Sequence, residues 1–398
     1  MSYDVNDMVN INQVVCNTTL PDDFDNLLNL AMKLKKDKVS NLQKIEDINR
    51  FLKHKARKDS TPILGSFEIT PYCNLNCSMC YVHSSNSNCN VLRYDFWRNI
   101  IDEASEAGMF SAQITGGECL THPDFIDIFH HLRSKGINPA ILTNGALIDK
   151  NWVSFFKDNN PLVIQVSLYG SNDDAYEKTT GHRVFHKVMS GIENLQAAGV
   201  SVKIAVTISR PMISDLKNLF TLLYNLKVPF EYSCDLIPPY EGVDHDFSDI
   251  RLTIDEKIDI HRIIAESSGS DIIKTDEALL PYPQSHIYCE VGEGMPCGSG
   301  RSSFSINWKG DLLPCNAIGF VRESLLTTCF TNAWAKINNW ALNHKVIQNC
   351  YECYYKPICR RCPIMHELCT GVVGATDTSF CDMLRLCVAE GVMSIEKP

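Results

Sequence analysis

From Leu64 to about residue 235 the chain alternates short apolar runs with amphipathic stretches, and this alternation is the strongest constraint on its fold. Short runs rich in apolar, β-branched or aromatic residues indicate buried strands, whereas apolar positions that repeat every three to four residues indicate helices. The pattern predicts strands near 64–70, 111–115, 138–142, 162–168, 200–208 and 229–235. It predicts helices near 94–107, 123–135, 149–159, 185–198 and 214–227. Six strand–helix units of this kind predict an α/β fold with one parallel sheet that closes fully or partly into a barrel.

The segments on either side of this barrel, 61–250, have a different pattern. Residues 1–60 carry apolar residues at helical spacing, which predicts a helical N-terminal segment. A connector, 251–285, begins with a predicted helix near 253–267. The last predicted domain, 286–398, is rich in cysteine, glycine and proline, and we expect bound metal to supply part of its folding free energy.

Composition and charge exclude several classes of partner. With 37 basic and 47 acidic residues the formal net charge is −10, which leaves no basic surface of the kind that binds nucleic acid. The sequence has no run of about 18 apolar residues, which is the length that would predict a membrane span. The amino terminus, MSYDVNDMVN, is acidic and has no apolar signal-peptide core. We therefore expect a cytoplasmic protein whose 18 cysteines bind metal rather than form disulfides.

Three cysteines follow the first predicted strand in the stretch TPYCNLNCSMCYVHS, at Cys73, Cys77 and Cys80. A structural zinc site uses four Cys or His ligands, whereas a site built for chemistry keeps one coordination position open. Thiolates are also the ligands of 4Fe–4S clusters. One loop can therefore ligate three irons of such a cluster and leave the fourth iron for a small molecule.

A Gly-Gly-Glu sequence follows the second predicted strand, in the stretch ITGGECL. Gly116 and Gly117 allow the backbone to approach a ligand closely, and Glu118 supplies a carboxylate for an ammonium group. Without the cysteine loop, the same sequence is equally typical of a strand-to-helix turn followed by an exposed acid.

Together these two motifs resemble those of the radical S-adenosylmethionine (SAM) enzymes, in which three cysteines bind a 4Fe–4S cluster and the Gly-Gly-Glu segment holds the methionine amino group. The resemblance implies a partial (β/α)6 parallel barrel, with SAM chelating the fourth iron. It implies that reduction of the cluster cleaves SAM to methionine and a 5'-deoxyadenosyl radical, which abstracts a hydrogen atom from the substrate. It also implies a low-potential electron donor, such as flavodoxin or ferredoxin, as a partner.

The resemblance suggests further contacts to SAM. LTNGAL and VSLYG, at the third and fourth strands, suggest Asn144 and Ser167 as polar contacts, with turn and strand-end chemistry as the alternative. Arg183 is a candidate partner of the SAM carboxylate, with an exposed position beside a helix as the alternative. The family's aromatic residue before the third cysteine packs on adenine. Here Met79 takes that place and Tyr81 follows the cysteine, so these two are the candidate adenine contacts.

Cys119 follows Glu118 at the predicted mouth of the barrel and is the candidate catalytic residue. A thiol there would donate a hydrogen atom to a substrate radical or contact the substrate. The alternative, which we expect, is a packed cysteine with no role in the reaction.

The C-terminal cysteines resemble the SPASM domain of peptide-modifying radical SAM enzymes, which usually carries two auxiliary 4Fe–4S clusters. The stretches CGSGRSSFSINWKGDLLPC and CYECYYKPICRRC carry this resemblance. By motif order, the ligands of the first auxiliary cluster are Cys289, Cys297, Cys315 and Cys362. Those of the second are Cys350, Cys353, Cys359 and Cys381, with Cys369 competing for the last place. A pair of zinc sites is the alternative to iron.

The resemblance covers residues from about 64 to 385 and implies an enzyme that modifies a ribosomal precursor peptide, giving a thioether, another crosslink or an epimerised residue. One alternative is an anaerobic sulfatase-maturing enzyme, which makes formylglycine; such enzymes place Asp after the second auxiliary-domain cysteine, where this chain has Asn316. The other is a non-catalytic iron–sulfur or zinc protein that serves electron transfer or peptide binding. Recognition of a leader falls to a separate leader-binding protein, to the helical N-terminal segment or to neither.

Overall fold

The computed structural model describes residues 52–82, 91–236, 249–267, 294–295, 297–344, 353–355, 359, 362–370, 372, 377–391 and 393. The chain divides into two units, Met1–Thr61 and Pro62–Pro398. In the first unit, residues 52–59 are helical, and the earlier part of the predicted N-terminal segment lies outside the described residues.

A nine-stranded sheet forms the centre of the second unit. Its first six strands are parallel and lie side by side in chain order. They are β1 Leu64–Glu68, β2 Ser111–Thr115, β3 Ala140–Thr143, β4 Val163–Ser167, β5 Val202–Thr207 and β6 Phe230–Ser233. All six predicted strands are confirmed to within two residues at each end.

The sheet continues into the C-terminal region on the other side of β1. Strand β7, Ser303–Ile306, pairs with β1 in parallel, and β8, Asp311–Leu313, and β9, Glu323–Ser324, follow in antiparallel order. The complete order is β6-β5-β4-β3-β2-β1-β7-β8-β9, so the parallel part is a partial barrel. The apolar pattern did not indicate β7 to β9. The predicted domain boundaries at 61, 251 and 286 stay predictions, and this one sheet runs across the last two of them.

Helices connect consecutive strands and follow the sixth. Those of the parallel part are α1 Tyr94–Glu106, α2 Phe125–Ser134, α3 Lys150–Asp158, α4 Asp173–Thr180, α5 Phe185–Ala197 and α6 Leu216–Leu226. The later ones are α7 Ile254–Ser267, α8 Phe330–Asn343, α9 Pro363–Thr370 and α10 Thr378–Ala389. The pattern predicted all of these up to α7 except α4. Within the described ranges, no helix combines the length and the apolar character needed to cross a membrane.

The two faces of the parallel sheet differ in polarity. On the outer face, buried Phe67, Ile114 and Ile204 belong to one large core with the helices, and Phe67 packs edge-on against Trp97 of α1. Because side chains alternate along a strand, their neighbours face the interior of the barrel. The polar residues at these positions are Ser66, Glu68, Gln113, Thr115, Gln165, Ser167, Lys203, Thr207, Glu231 and Ser233, and the apolar ones include Ala140, Leu142, Val163 and Ala205. The inner face is therefore more polar than the outer one, and it offers hydrogen-bonding groups to a ligand.

Candidate cofactor site at the carboxyl ends of the strands

The three cysteines of the first motif lie in the loop that leaves β1, and a helix holds this loop in place. The backbone N–H of Asn76 donates to the carbonyl of Thr180 at 2.9 Å, and that of Ser78 donates to the carbonyl of Thr179 at 3.0 Å. Both acceptors lie in the last turn of α4, where carbonyl groups have no partner within the helix. Helix α4 ends at Gly181, whose φ of +73° suits glycine. The cysteine loop is thus fixed by the one barrel helix that the sequence pattern missed.

The thiols of this loop lie close enough to interact electrostatically. Burial, together with the negative charges of Glu118 and Cys80, raises the pKa of Cys73 to about 11. Burial also raises the pKa of Cys77 well above its usual range, with Cys80 and Cys73 as the next causes. A cationic iron–sulfur cluster would remove this penalty, because metal binding deprotonates a thiol outright. The residues present therefore fit such a cluster.

Gly116 and Gly117 bring the loop after β2 against the backbone just before Cys73. The N–H of Gly117 donates to the carbonyl of Thr70 at 2.7 Å, and the N–H of Glu118 donates to that of Tyr72 at 2.6 Å. A Cβ atom on Gly116 would lie 2.4 Å from the Thr70 carbonyl oxygen, and one on Gly117 would lie 2.3 Å from the Tyr72 oxygen. The two glycines are thus required by contact between the chain's own loops. Their predicted contact with SAM stays a prediction.

Glu118 is completely buried beneath this contact. Its carboxylate accepts hydrogen bonds from the Thr143 hydroxyl at 2.8 and 2.9 Å, from the N–H of Asn144 at 2.8 Å and from the N–H of Leu120 at 3.1 Å. Burial nevertheless raises the pKa of Glu118, because these donors are neutral and do not offset its charge. The predicted contact of Glu118 with the ammonium group of SAM stays a prediction.

Asn144 connects Glu118 to the cysteine loop. Its backbone N–H binds Glu118, and its side-chain amide donates to Asn74 Oδ1 at 2.8 Å and to Cys73 Sγ at 3.5 Å. Ser167 ends β4 with its side chain on the inner face, where Tyr169 interacts with it. The predicted contacts of Asn144 and Ser167 with SAM stay predictions.

Arg183 lies on the protein surface. It forms ion pairs with Asp174 and Glu177 of α4, and about half of its side chain is exposed. These contacts favour the alternative role beside a helix over a contact with the SAM carboxylate.

Met79 and Tyr81 lie on either side of the third cysteine but have different surroundings. Met79 is buried against Leu236, and Tyr169 packs against the same pair. The Tyr81 hydroxyl donates to Glu68 Oε1 at 2.7 Å. Sequence reasoning missed Tyr169 and Glu68. Glu68 is the single charged residue of β1, LGSFE, and that was a usable signal.

Cys119 packs in the main hydrophobic core, below the loop that it was expected to line. It is completely buried, and its thiol donates to the carbonyl of Leu142 at 3.3 Å and weakly to Glu118. This position favours the packed alternative over a thiol that meets the substrate.

In the C-terminal region, Cys297, Cys315 and Cys362 all pack against one apolar cluster of Met295, Ile318, Ala341 and Ile364. Burial raises the pKa of Cys315 to about 12, with the charges of Cys297 and Cys362 as the next causes. The structure therefore brings together the three described members of the first predicted auxiliary set. The fourth, Cys289, lies outside the described residues.

Cys353 and Cys381 belong to the second predicted set. Burial is the largest cause that raises the pKa of Cys381, and the charge of Cys353 is the next, which indicates that the two side chains lie near each other. Cys359 packs against the cluster around Met383 and Leu384. Cys350 and the side chain of Cys369 lie outside the described residues. Among the side chains that are described, no three Cys, His, Asp or Glu groups converge on a single ion. Ligation by the loop cysteines Cys73, Cys77 and Cys80 and by either C-terminal set stays a prediction.

Comparison with known proteins supports the interpretation of this region as a cofactor site. Residues 67–219 match the Radical SAM superfamily model. The subtilosin biosynthesis protein AlbA of Bacillus subtilis is 26% identical over 326 residues, which cover 78% of this chain and 68% of AlbA. The AdoMet-dependent heme synthase of Methanosarcina barkeri is 24% identical over 336 residues, 78% of this chain and 94% of the synthase.

Among solved structures, Streptococcus suis SuiB bound to S-adenosylmethionine superposes with a TM-score of 0.58 at 16% identity, covering 82% of this chain and 80% of SuiB. The sheet, the three-cysteine loop and the buried acid thus agree with the match of residues 67–219 to the radical SAM family. The chain therefore contains a radical SAM domain, whose cofactors are SAM and a 4Fe–4S cluster, and this domain is followed by a cysteine-rich C-terminal region.

Replacing Gly117 by Ala should displace the loop before Cys73. The new methyl group would overlap the carbonyl oxygens of Tyr72 and Pro71, which are backbone atoms and cannot turn away. We expect Gly117→Ala to lose the iron of the catalytic site, measured by iron analysis after anaerobic reconstitution. Gly199→Ala is the matched control, since Gly199 has a φ of +77° but open space around it. It should cost roughly 1 kcal/mol of stability and keep its iron; equal iron loss in both variants would contradict this role of Gly117.

Replacing Glu118 by Gln should weaken SAM binding. The charge-assisted hydrogen bond to the ammonium group is worth about 1.5–3 kcal/mol, so affinity should fall roughly tenfold or more. Titration of the reconstituted enzyme with SAM, followed by the EPR signal of the reduced cluster, measures this. Glu193→Gln, an exposed charge on α5, is the control and should bind SAM normally. Unchanged affinity in Glu118→Gln would refute the ammonium contact.

Replacing Cys119 by Ala should affect stability and not the reaction. The change leaves a small cavity and removes a weak hydrogen bond, and we expect it to lower the free energy of unfolding by roughly 1 kcal/mol. SAM cleavage and iron content should stay nearly at the unsubstituted level. Deoxyadenosine formation without normal product would instead support hydrogen donation by the thiol.

Proposed function

We propose that this enzyme modifies a precursor peptide made by the ribosome, abstracting a hydrogen atom from a side chain or an α-carbon. The product is a thioether, another crosslink or an epimerised residue. The relatives support this: AlbA takes part in the biosynthesis of the bacteriocin subtilosin, and SuiB has been solved bound to the precursor peptide SuiA.

One observation of geometry carries the proposal. Asn316, directly after Cys315, lies 3.2 Å from the hydroxyl of Tyr81, directly after Cys80. The C-terminal group of Cys297, Cys315 and Cys362 therefore lies next to the catalytic loop, which carries Cys73, Cys77 and Cys80. A 4Fe–4S cluster bound there would accept the electron released when a product radical closes, or would ligate a substrate thiolate. We propose two such auxiliary clusters, held by the two cysteine sets.

The residues of the barrel would divide the remaining work. Glu118 would hold the ammonium group of SAM. Asn144 would fix the position of the cysteine loop relative to Glu118, because it binds both. The inner face of the sheet offers both charged and neutral hydrogen-bonding groups, such as Gln165 and the Lys203–Glu231 ion pair at 2.5 Å. A peptide, with donors and acceptors along its length, can use these groups, because buried polar groups need partners.

The alternatives fit less well. A heme synthase is among the relatives, but a polar inner face is a poor surface for a large flat apolar ring. A sulfatase-maturing activity would need a base at position 316, whereas the Asn316 amide is used as a donor to Glu68 at 2.7 Å. We further propose a low-potential flavodoxin or ferredoxin as electron donor and the cytoplasm as location. For leader recognition the three options stay open: a separate protein, the N-terminal segment, or no leader recognition.

Co-expression with short open reading frames from the neighbourhood of the gene tests the substrate class. A crosslink lowers the peptide mass by two hydrogens, whereas epimerisation leaves the mass unchanged in water but adds deuterium in heavy water. The triple variant described next is the matched control for each peptide. If every peptide stays unmodified while a porphyrin is consumed with SAM cleavage, the proposal is wrong.

Replacing Cys73, Cys77 and Cys80 together by Ala should abolish SAM cleavage, because the catalytic cluster loses its ligands. Three clusters give about 12 irons per chain, and about 8 should remain in this variant. Cys329→Ala, an exposed cysteine outside all three sets, should keep both iron and activity. Zinc in stoichiometric amount with only about 4 irons in the unsubstituted enzyme would refute the auxiliary clusters.

A further inference from the structure

Three side chains from distant parts of the chain meet at the carboxyl end of β1. Glu68 is the last residue of β1 and is completely buried. The hydroxyl of Tyr81 and the amide nitrogen of Asn316 each donate to Glu68 Oε1 at 2.7 Å. Tyr81 directly follows Cys80 in the catalytic loop, and Asn316 directly follows Cys315 in the C-terminal region. One carboxylate oxygen of Glu68 therefore links Tyr81 of the catalytic loop to Asn316 of the C-terminal region, and each of these two residues directly follows a cysteine.

The amide of Asn316 is held in one orientation. Its oxygen accepts a hydrogen bond from the hydroxyl of Ser305 on β7, so its nitrogen faces Glu68 and Tyr81. A reversed amide would set its oxygen against the carboxylate, which places two acceptors in contact with no proton between them. Position 316 must therefore supply a donor, and position 68 must supply an acceptor.

We propose that Glu68 is a positioning residue that fastens the catalytic loop to the C-terminal region, so that the placement of Cys80 depends on Asn316. Tyr81 is one peptide unit from Cys80, and a displaced Tyr81 ring would carry Cys80 with it. The accepting carboxylate of Glu68 is buried and its two donors are half-buried, and hydrogen bonds to a buried charged group are strong and costly to lose. The proposal rests on the radical SAM site alone and does not depend on the nature of the substrate.

Asn316→Asp tests the proposal by placing a second carboxylate against Glu68. Like charges at this distance repel strongly, so the link should open once the pH is high enough that the two carboxyl groups no longer share a proton, and the assay is run there. We expect deoxyadenosine formation from SAM and dithionite, without any peptide, to fall about tenfold. The EPR signal that SAM induces in the reduced cluster should change as well. Because the assay uses SAM only, a failure of the peptide proposal would not affect its result.

The exchanged pair Glu68→Gln with Asn316→Asp is the decisive variant. The donor then comes from position 68 and the acceptor from position 316. The Ser305 hydroxyl can donate to the new carboxylate, and the Tyr81 hydroxyl can donate to that carboxylate or to the Gln oxygen. Activity and the EPR signal should return to within about threefold of the unsubstituted enzyme. If Asn316→Asp does not fold, recovery of soluble protein by the exchange is the same test.

Asn338→Asp is the matched control, because Asn338 is another hydrogen-bonded amide of the C-terminal region, and it is buried whereas Asn316 is half-buried. Its nitrogen donates to the Gly300 carbonyl at 2.9 Å. Glu68→Gln should not rescue this variant, and the two effects should simply add. The proposal is overturned if Asn316→Asp behaves like the unsubstituted enzyme, if the exchange fails to restore it, or if Glu68→Gln restores Asn338→Asp equally. Melting temperatures of all variants separate a change at the cluster from a general loss of stability.

Discussion

The site depends on a contact between two backbone segments, residues 70–72 ahead of the first cysteine and Gly116–Gly117 after β2. Adjacent parallel strands release their loops side by side, but side chains normally keep such loops apart. Here the absence of two Cβ atoms lets the loops share two short hydrogen bonds. Glu118 is thereby driven into the interior, where Thr143 and Asn144 of the next strand end orient it. Three strand ends are thus assembled by main-chain contacts, which hold geometry better than flexible side chains do.

Much of this could be read from the sequence because strong local signals coincide with it. Each of the six parallel strands is an apolar run followed by an amphipathic helix, and the pattern located them to within two residues. The cysteine loop and the Gly-Gly-Glu sequence follow β1 and β2 directly, so their meeting at one edge of the sheet follows from the strand order. A packed Cys119 was expected, but the complete burial of Glu118 could not be predicted, since that residue follows a turn whose direction depends on Thr70 and Tyr72.

Other features were missed because their signals are not local. Helix α4 has the sequence DDAYEKTT, with too few apolar residues for a helical stripe; it is defined by the Asn172 side-chain cap and by Gly181. Yet this helix holds the cysteine loop. Strands β7 to β9 have only two to four residues each and form by pairing with an existing edge. Glu68 was overlooked because its partners, Tyr81 and Asn316, are far away in sequence.

The pairing of β7 with β1 has a consequence for biosynthesis. Ser66 and Ser305 are neighbours in the sheet but are separated by about 240 residues of chain. While the ribosome is still making the intervening residues, one edge of β1 has no strand beside it. An open edge of this kind recruits other chains, and contacts this distant in sequence form slowly. The nascent enzyme should therefore be most prone to aggregation between synthesis of the parallel strands and release of β7, and chaperone protection would matter most in that interval.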